Sequence, residues 1–393
     1  MWSGRVRGLA ALVAVFALSV PAIATADGPV VISAHRGLGV PGVAENSLDA
    51  FTSAAQAGET DIEGDAFVTK DSVLVMSHDS PLRAPRCSGA YLDRSLRTLT
   101  AAQVTTMTCG GAPVPRLDAV LAAVRPYLTA HPRIEIKHET GDTSAQRSAD
   151  AVLLARQLSS AGMTSRSLLQ DFDWANTTRS VRAASPGQRV SALTNSITVA
   201  QVASAHALGV TDFSYVSGLS TGFWNAQVAA SGLTSTVWTV DTPPQARVLR
   251  AEGVGTIISD VPETLRTALA DPASQCTLER YSTPFTTRGT TLAAGATSYR
   301  TVPARSPDGR VVETGRWRVR AWTTSGTATL QIAPRGTPTG SQWEQRLTVS
   351  PTSAPVVLEV AGGDAGGVRI TNASTRAVGL EVALVGGAAY GCP

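Results

Sequence analysis

The sequence predicts an α/β chain in which a (β/α)8 TIM barrel is followed by an antiparallel β-sandwich. From Val30 to about Ala270, short β-branched runs alternate with Ala- and Leu-rich runs of helical spacing. This alternation is typical of parallel strands joined by crossover helices. The strand-like runs are as many as a (β/α)8 barrel needs. After Pro272 the helical periodicity ends, and Thr-, Gly-, Ser- and Val-rich segments indicate a module of antiparallel strands.

Eight apolar or β-branched runs are predicted to be the barrel strands. They are Val30–Ala34, Thr60–Phe67, Ile134–Lys137, Leu168–Phe172, Val190–Leu193, Asp212–Val216, Thr236–Val240 and Thr256–Ser259. A ninth run, Val73–Met76, is placed as a β extension after the second strand. Helical spacing of apolar residues predicts the helices between them, for example Ala149–Leu158, Val199–Leu208 and Gln245–Glu252.

The C-terminal module is predicted from alternating residues in Trp317–Trp322 and Ala328–Ile332, with further strands near Val356–Val360, Val368–Ile370 and Leu380–Leu384. We expect the catalytic barrel to cover residues 27–271 and the sandwich to cover 272–393. Trp317, Trp322 and Trp343 could bind a glycan or fill the core, and core packing is the preferred interpretation. Contact of this module with cell wall or glycan is kept as a hypothesis.

The first 26 residues have the features of a secretory signal peptide. Arg5 and Arg7 precede an apolar stretch, Leu9–Val20, and Ala24-Thr25-Ala26 fits the small-residue rule for cleavage. We therefore predict cleavage after Ala26 and a secreted, extracellular protein. The apolar run is too short for a typical membrane span, so none is expected in the mature form, although a retained anchor is the alternative.

The four cysteines are an even number in a chain predicted to be exported, which suggests two disulfides. Three pairings are possible. We favour Cys87–Cys109, which closes a local loop, together with Cys276–Cys392, which joins the two ends of the C-terminal region. Metal binding by these residues is not expected, because the chain has no CxxC pair.

Composition excludes two broad classes of protein. The chain of 393 residues has 33 Lys and Arg against 30 Asp and Glu, with no basic cluster, so nucleic acid is not an expected partner. The 43% of hydrophobic residues is too high for a disordered chain.

Chemically active residues follow several predicted strands. His35-Arg36-Gly37 follows the first strand, Glu63-Gly64-Asp65 ends the second, His78-Asp79 follows the extension, and Glu135-Ile136-Lys137 lies in the third. Residues i and i+2 of a strand face the same side, and the C-terminal mouth of a barrel is where catalysis takes place. We therefore expect the carboxylates of Glu63, Asp65 and Glu135 to meet inside the mouth.

Three carboxylates gathered there would repel one another unless a divalent cation were bound. Oxygen ligands favour Ca²⁺ or Mg²⁺ over Zn²⁺. His35 and His78 could then act as base and acid, while Arg36 and Lys137 supply positive charge suited to a phosphate. Together these groups indicate phosphoryl transfer or cleavage of a phosphodiester.

At this point the sequence resembles the glycerophosphodiester phosphodiesterase family, whose members share a (β/α)8 fold. The order and spacing of the motifs agree over roughly residues 30–265. The matching stretches are Ala34-His35-Arg36-Gly37, Glu45-Asn46-Ser47-Leu48-Asp49-Ala50-Phe51, Asp61-Ile62-Glu63-Gly64-Asp65, Thr69-Lys70-Asp71, Ser77-His78-Asp79, Ile134-Glu135-Ile136-Lys137, Val237-Trp238-Thr239-Val240 and Ile257-Ile258-Ser259-Asp260.

The resemblance implies a role for each matching residue. It implies that His35 and His78 are the catalytic acid and base, and that the cation is bound by Glu63, Asp65 and Glu135. The resemblance also implies that Arg36 and Lys137 contact phosphate oxygens, that Trp238 lines a glycerol pocket, and that an insertion at 80–115 covers the active site. The implied reaction is hydrolysis of a glycerophosphodiester, a small molecule, to glycerol phosphate and an alcohol.

Other interpretations stay open at this stage. Lys137 could only pair with Glu135, Trp238 could only fill the core, and His131, His138 and His206 are expected to be surface or packing residues. Gln170-Asp171-Phe172 and Asp241 depart from the family pattern, which affects the choice of substrate. Alternatives are phospholipase D-like cleavage of lysophospholipid or sphingomyelin, degradation of teichoic-acid-type polymers, and a non-enzymatic cell-surface binding protein.

Overall fold

The computed structural model describes residues 29–39, 42–271, 275–282, 288–301, 312–334, 345–353, 356–361 and 367–392. The chain divides into two compact units, one running to Thr277 and the other comprising Leu278–Gly391. The signal peptide and its cleavage after Ala26 lie outside the described residues and stay predictions. No helix among the residues described is both long enough and apolar enough to cross a bilayer.

The first unit alternates strands and helices. In chain order its elements are β1 (Val31–Ala34), α1 (Leu48–Gln56), β2 (Asp61–Val68), β3 (Leu74–Met76), β4 (Cys87–Ser88), α2 (Ala101–Val104), β5 (Thr108–Cys109), β6 (Ala112–Pro113), α3 (Leu117–Val124), β7 (His131–Ile136), α4 (Ser144–Ser160), β8 (Leu168–Asp171), α5 (Trp174–Ala184), β9 (Arg189–Thr194), α6 (Val199–Leu208), β10 (Asp212–Val216), α7 (Gly222–Ala230), β11 (Thr234–Trp238), α8 (Pro243–Ala251), β12 (Thr256–Ser259) and α9 (Pro262–Ala270).

The strands close into a parallel barrel. Their order is β1-β12-β11-β10-β9-β8-β7-β2, and β1 also pairs with β2, so the sheet has no free edge there. The predicted (β/α)8 barrel is therefore confirmed. β3 pairs antiparallel with β2, which confirms the predicted extension.

Local sequence explains where helices start and stop. Thr143 begins α4 with a capping box, in which its side chain and that of Gln146 satisfy each other's backbone donors. Gly209 ends α6 with a φ of 77°, a conformation that glycine adopts without a Cβ clash.

An ionic layer lies inside the barrel beneath the mouth. The buried guanidinium of Arg133 on β7 donates to Asp61 on β2 at 2.8 Å and contacts Asp212 on β10 at 3.3 Å. Burial of such charges is tolerated only when they are paired. Because Asp61 and Arg133 lie two residues before Glu63 and Glu135, this layer supports the carboxylates above it.

The predicted insertion at 80–115 contains a small sheet of its own. β4, β5 and β6 form a three-stranded sheet, and the predicted disulfide Cys87–Cys109 joins β4 to β5. It has its own apolar cluster, with Leu82, Leu96 and Met107 fully or almost fully buried. Phe67 of β2 and Val75 of β3 belong to the same cluster, so packing fixes the insertion to the barrel, while the disulfide closes the insertion on itself.

The second unit is a two-sheet sandwich, as predicted. Its strands are β13 (Thr277–Ser282), β14 (Arg288–Leu292), β15 (Thr297–Thr301), β16 (Val312–Trp322), β17 (Ala328–Pro334), β18 (Gln345–Val349), β19 (Val356–Ala361), β20 (Gly367–Asn372) and β21 (Val378–Gly391). One sheet has the order β13-β21-β16-β19 with β14 on β21, and the other has the order β15-β20-β17-β18. Both sheets contribute to one apolar core.

Two of the three tryptophans of this unit pack within it. Trp317 is 5% exposed in the core, and the ring of Trp322 covers Gly379 on the paired strand. Trp343 lies outside the described residues. The second predicted disulfide, Cys276–Cys392, is also present. For Trp317, core packing is therefore confirmed over a glycan-facing position.

Candidate active site

A cavity of about 280 Å³ opens at the C-terminal mouth of the barrel, and we call it the mouth cavity. The predicted site residues all line it, although they come from distant parts of the chain. They are His35, Arg36, Glu63, Asp65, His78, Glu135, Lys137 and Trp238. The geometry therefore supports a single site.

Three carboxylates meet on the floor of this cavity. Glu63 and Asp65 point inward from β2, and Asp65 lies in register with Glu135 on β7. Each side chain can offer an oxygen such that the three oxygens lie within 4.8 Å of one another. All three residues are buried. An all-oxygen cluster of this size fits a hard divalent cation such as Ca²⁺ or Mg²⁺.

The charges of the cluster are only partly balanced by the protein. Burial and the Asp65 charge raise the pKa of Glu63, and burial likewise raises the pKa of Glu135. Burial opposes ionisation of Asp65 too, but the charges of Lys137 and Arg36 outweigh it and lower the pKa of Asp65. Lys137 Nζ lies 2.9 Å from Glu135 and 3.2 Å from Asp65. A bound cation would supply the positive charge that the two glutamates lack.

Gly64 allows β2 to lie close to the side chains of Phe51 and Asn46. A Cβ at this position would lie 2.3 Å from the Phe51 ring and 3.0 Å from Asn46 Oδ1. Asn46 in turn donates to Asp65 Oδ2 at 2.9 Å and accepts from the Asp65 backbone at 3.0 Å. Asn46 therefore fixes the position of Asp65.

Each site histidine is held by an aspartate through Nδ1. His35 contacts Asp260 at 2.5 Å, and His78 contacts Asp79 at 2.8 Å. Burial lowers the pKa of His35, but Asp260 and Glu63 outweigh it and raise the pKa overall. Burial and Lys137 lower the pKa of His78. Sequence reasoning assigned no role to Asp260, although its position directly after β12 places it at the mouth.

Aromatic side chains form one wall of the mouth cavity. Trp238 and Phe172 meet edge to face with ring centres 6.0 Å apart. Phe172 is exposed, whereas Gln170 is buried and lies within 3.3 Å of Arg133. Trp238 thus lines the site rather than only filling the core. Phe172 and Gln170, which sequence analysis connected only with the choice of substrate, thus also line the mouth cavity.

A second cavity of about 510 Å³ lies between the insertion and the barrel, and we call it the insertion cavity. His78 lines both cavities. Arg86, next to the Cys87–Cys109 disulfide, pairs with Glu45 and lies 3.4 Å from Asp79. Glu45 also accepts from Arg36 at 2.7 Å. The insertion therefore contributes charged residues beside the site.

His138 is the one histidine outside the site that is enclosed by carboxylates. Its Nε2 lies 3.1 Å from Asp171, its Nδ1 lies 3.9 Å from Asp150, and Asp150 also pairs with Arg97. Burial alone would lower the pKa of His138, but the two aspartates raise it to about 9. His138 is thus a charged packing residue between α4 and the end of β8.

This arrangement predicts a pH-dependent contribution to stability. The folded pKa of His138 is raised above 6.5, so its stabilising contribution is full below pH 6.5 and is lost as pH rises through 9. We expect His138→Gln to lower the free energy of unfolding by on the order of 2 kcal/mol at pH 6, and by much less at pH 9.5. Urea denaturation at both pH values measures this, with exposed His206 replaced by Gln as the control. An equal loss at both values would contradict the assignment.

A closed parallel barrel with two histidines and a carboxylate cluster at its C-terminal mouth defines the protein as an enzyme of the (β/α)8 class. The family model described as the glycerophosphoryl diester phosphodiesterase family matches residues 35–264. The chain belongs to this family and is a phosphodiesterase. This membership favours catalysis over the alternative of a non-enzymatic binding protein.

Solved structures show the same fold. A glycerophosphodiester phosphodiesterase from Parabacteroides distasonis is 23% identical, with 61% of this chain and 97% of that one covered and a TM-score of 0.54. An Oleispira antarctica phosphodiesterase in complex with the product sn-glycerol-3-phosphate is 17% identical over 61% and 97% of the two chains, also with a TM-score of 0.54. No curated protein matches the chain.

Proposed function

We propose that the protein is a metal-dependent glycerophosphodiester phosphodiesterase that releases glycerol phosphate and an alcohol. One observation carries this proposal. Three clustered carboxylates, two histidines that each contact an aspartate, and the positively charged side chains of Arg36 and Lys137 all lie in one cavity. The Oleispira antarctica protein of the same fold binds sn-glycerol-3-phosphate, which supports glycerol phosphate as a product here.

In this proposal Glu63, Asp65 and Glu135 hold a Ca²⁺ or Mg²⁺ ion. When bound, the cation would polarise the phosphoryl group and offset its negative charge. Arg36 and Lys137 line the same cavity and donate to phosphate oxygens. Both already contact Asp65, so their charged ends lie where a phosphate next to the carboxylates would bind. Trp238 and Phe172 provide an apolar wall for the carbon atoms of the glycerol moiety.

His35 and His78 are proposed as the acid–base pair. The glycerol hydroxyl next to the phosphate gives its proton to one histidine and forms a new P–O bond. The bond from phosphorus to the alcohol breaks, and the other histidine protonates the departing oxygen. Water then opens the resulting cyclic phosphate with the reverse proton transfers. Asp260 and Asp79 keep each Nδ1 occupied, which leaves each Nε2 to face the substrate.

Turnover of a panel of glycerophosphodiesters with and without EDTA tests the proposal. We expect release of glycerol phosphate to fall by about 10³-fold or more with EDTA, because the cation contributes several kcal/mol to the barrier. Addition of Mg²⁺ or Ca²⁺ restores it, and their relative effect identifies the preferred ion.

Two results would contradict the proposal. Full activity in EDTA would exclude the cation, and cleavage of lysophosphatidylcholine or sphingomyelin without glycerophosphodiester turnover would favour the phospholipase D-like alternative. Glycerophosphate polymers in the same panel test the teichoic-acid alternative.

We also propose that the protein is exported and acts outside the cell. The two disulfides support this, since such bonds persist in oxidising compartments. The N-terminal signal pattern of residues 1–26 gives independent support. Contact of the C-terminal module with cell wall or glycan stays a prediction.

A further inference from the structure

We infer that the insertion cavity is the binding site for the leaving alcohol and that it selects a neutral, hydroxyl-rich alcohol over a quaternary ammonium alcohol such as choline. This inference rests on the proposed function and names its substrate class.

Location links the cavity to the bond that breaks. His78 lines both the mouth cavity and the insertion cavity, and it is held by Asp79, which lines the insertion cavity only. A phosphate beside the carboxylates would therefore direct one ester oxygen toward His78. The group attached to that oxygen would then extend past His78 into the insertion cavity.

The size of the cavity leaves room for a substituent at least as large as the glycerol moiety. The insertion cavity has a volume of about 510 Å³, against about 280 Å³ for the mouth cavity. Part of its wall comes from the disulfide-closed insertion, because Cys87 and Cys109 both line it. A ring polyol or a second glycerol unit has room there.

The walls of the insertion cavity carry both positive and negative side chains, which pair with one another. Glu45 and Asp79 are both paired with Arg86, and Arg83 at the rim lies 3.7 Å from Asp93. Carboxylates and guanidinium groups together accept and donate hydrogen bonds, as hydroxyl groups require. Because the carboxylates are already neutralised, neither is free to attract a cationic head group.

An aromatic cage is missing from the lining. Quaternary ammonium groups are held by the faces of Trp, Tyr or Phe, and none of these residues lines the insertion cavity within the described part of the chain. The remaining surface comes from aliphatic and proline side chains such as Leu82, Pro113 and Pro115. This lining suits the carbon skeleton of a polyol.

The first test compares substrates with the wild-type protein. We expect kcat/KM for glycerophosphoglycerol and glycerophosphoinositol to exceed that for glycerophosphocholine by about 10-fold or more, since a polar site discriminates by its hydrogen bonds. Equal or higher kcat/KM for glycerophosphocholine would overturn the assigned substrate class. Failure to cleave any of these diesters would instead contradict the proposed function itself.

The second test fills the cavity. Ala84 is an exposed residue that lines it, and Ala84→Trp is expected to raise KM for the polyol diesters by about 10-fold while leaving the methyl ester of glycerol phosphate unaffected. Ala112→Leu fills the same cavity from β6 and gives a second variant should the first fold poorly. Ala102→Trp, on the exposed side of α2, is the control. Equal effects on the polyol and methyl esters would overturn the location.

The third test changes the charge of the cavity wall. Arg86→Ala removes the positive charge that Glu45 and Asp79 share, while Glu45 keeps its bond to Arg36 and Asp79 keeps its bond to His78. The wall then gains net negative charge, so the ratio of kcat/KM for glycerophosphoglycerol to that for glycerophosphocholine should fall by about 10-fold. If the change also disturbs Asp79 and His78, kcat/KM falls equally for both substrates and the ratio of the two values stays the same. Arg94, which lies over the Tyr91 ring and lines neither cavity, is the matched control when replaced by Ala. An unchanged ratio in Arg86→Ala would contradict the selection mechanism.

Discussion

Replacing Glu63 with Gln is expected to lower kcat/KM for glycerophosphodiesters by about 10³-fold or more, because the change removes one of three anionic ligands from the proposed cation site. Glu63 is buried and has close to the same volume as Gln, so the barrel should keep its fold. Steady-state kinetics at saturating Mg²⁺ and at saturating Ca²⁺ give the size of the loss.

A second measurement on the same variant separates cation binding from catalysis. In EDTA the wild-type carboxylates repel one another, so Glu63→Gln should have an equal or higher Tm than the wild type. On adding the cation the wild type should gain Tm through binding, and the variant should gain much less. An equal gain in both proteins would contradict a role for Glu63 as a ligand.

Glu59 offers a matched control for this experiment. It is also a buried glutamate, and both of its oxygens accept from Arg266, at 2.7 and 2.8 Å, away from the mouth cavity. Glu59→Gln should lower Tm by the same amount with and without the cation, because it weakens a structural ion pair. Its kcat/KM should stay close to that of the wild type.

The barrel and its carboxylate cluster could be predicted from sequence because both depend on short-range patterns. The alternation of β-branched and helical runs fixes the order of elements, and the spacing of Glu63 and Asp65 places both on one face of β2. The C-terminal ends of parallel strands meet at one mouth, so residues far apart in the chain could be assigned to one site.

The supporting contacts could not be predicted in the same way. Asp260 lies 225 positions from His35, and Arg86 lies 41 positions from Glu45, so their pairing depends on barrel closure and on the path of the insertion. The insertion cavity has no sequence signature, because proline, serine and arginine side chains line it from several segments. Such features follow from tertiary packing rather than from periodicity.

Lys137 illustrates a residue whose two interpretations are compatible with each other. Sequence reasoning weighed phosphate contact against a simple ion pair with Glu135, and the structure has the ion pair at 2.9 Å together with a place in the mouth cavity. A lysine between two buried carboxylates holds its charge, since Glu135 and Asp65 outweigh the effect of burial and raise its pKa. It can therefore hold the cluster together and remain available to an incoming phosphate.

Replacing His35 and replacing His78 should affect kcat/KM differently when the substrate has a leaving group that departs without a proton. His78 lines the insertion cavity as well as the mouth cavity, whereas His35 lines the mouth cavity beside Glu63. This geometry predicts that His78 protonates the leaving alcohol and that His35 removes the proton from the attacking hydroxyl. General acid and general base contributions are each typically about 10²–10⁴-fold.

Replacement of each histidine by Ala, assayed with two leaving groups, tests these roles. For a polyol diester both variants should lose about 10³-fold in kcat/KM. For the p-nitrophenyl ester of glycerol phosphate, His78→Ala should lose less than about 10-fold, because p-nitrophenolate leaves without a proton, while His35→Ala should keep its full loss. His206→Ala, an exposed change on α6, is the control. The opposite pattern would reverse the two roles, and equal losses with both esters would show that His78 does not act as the acid.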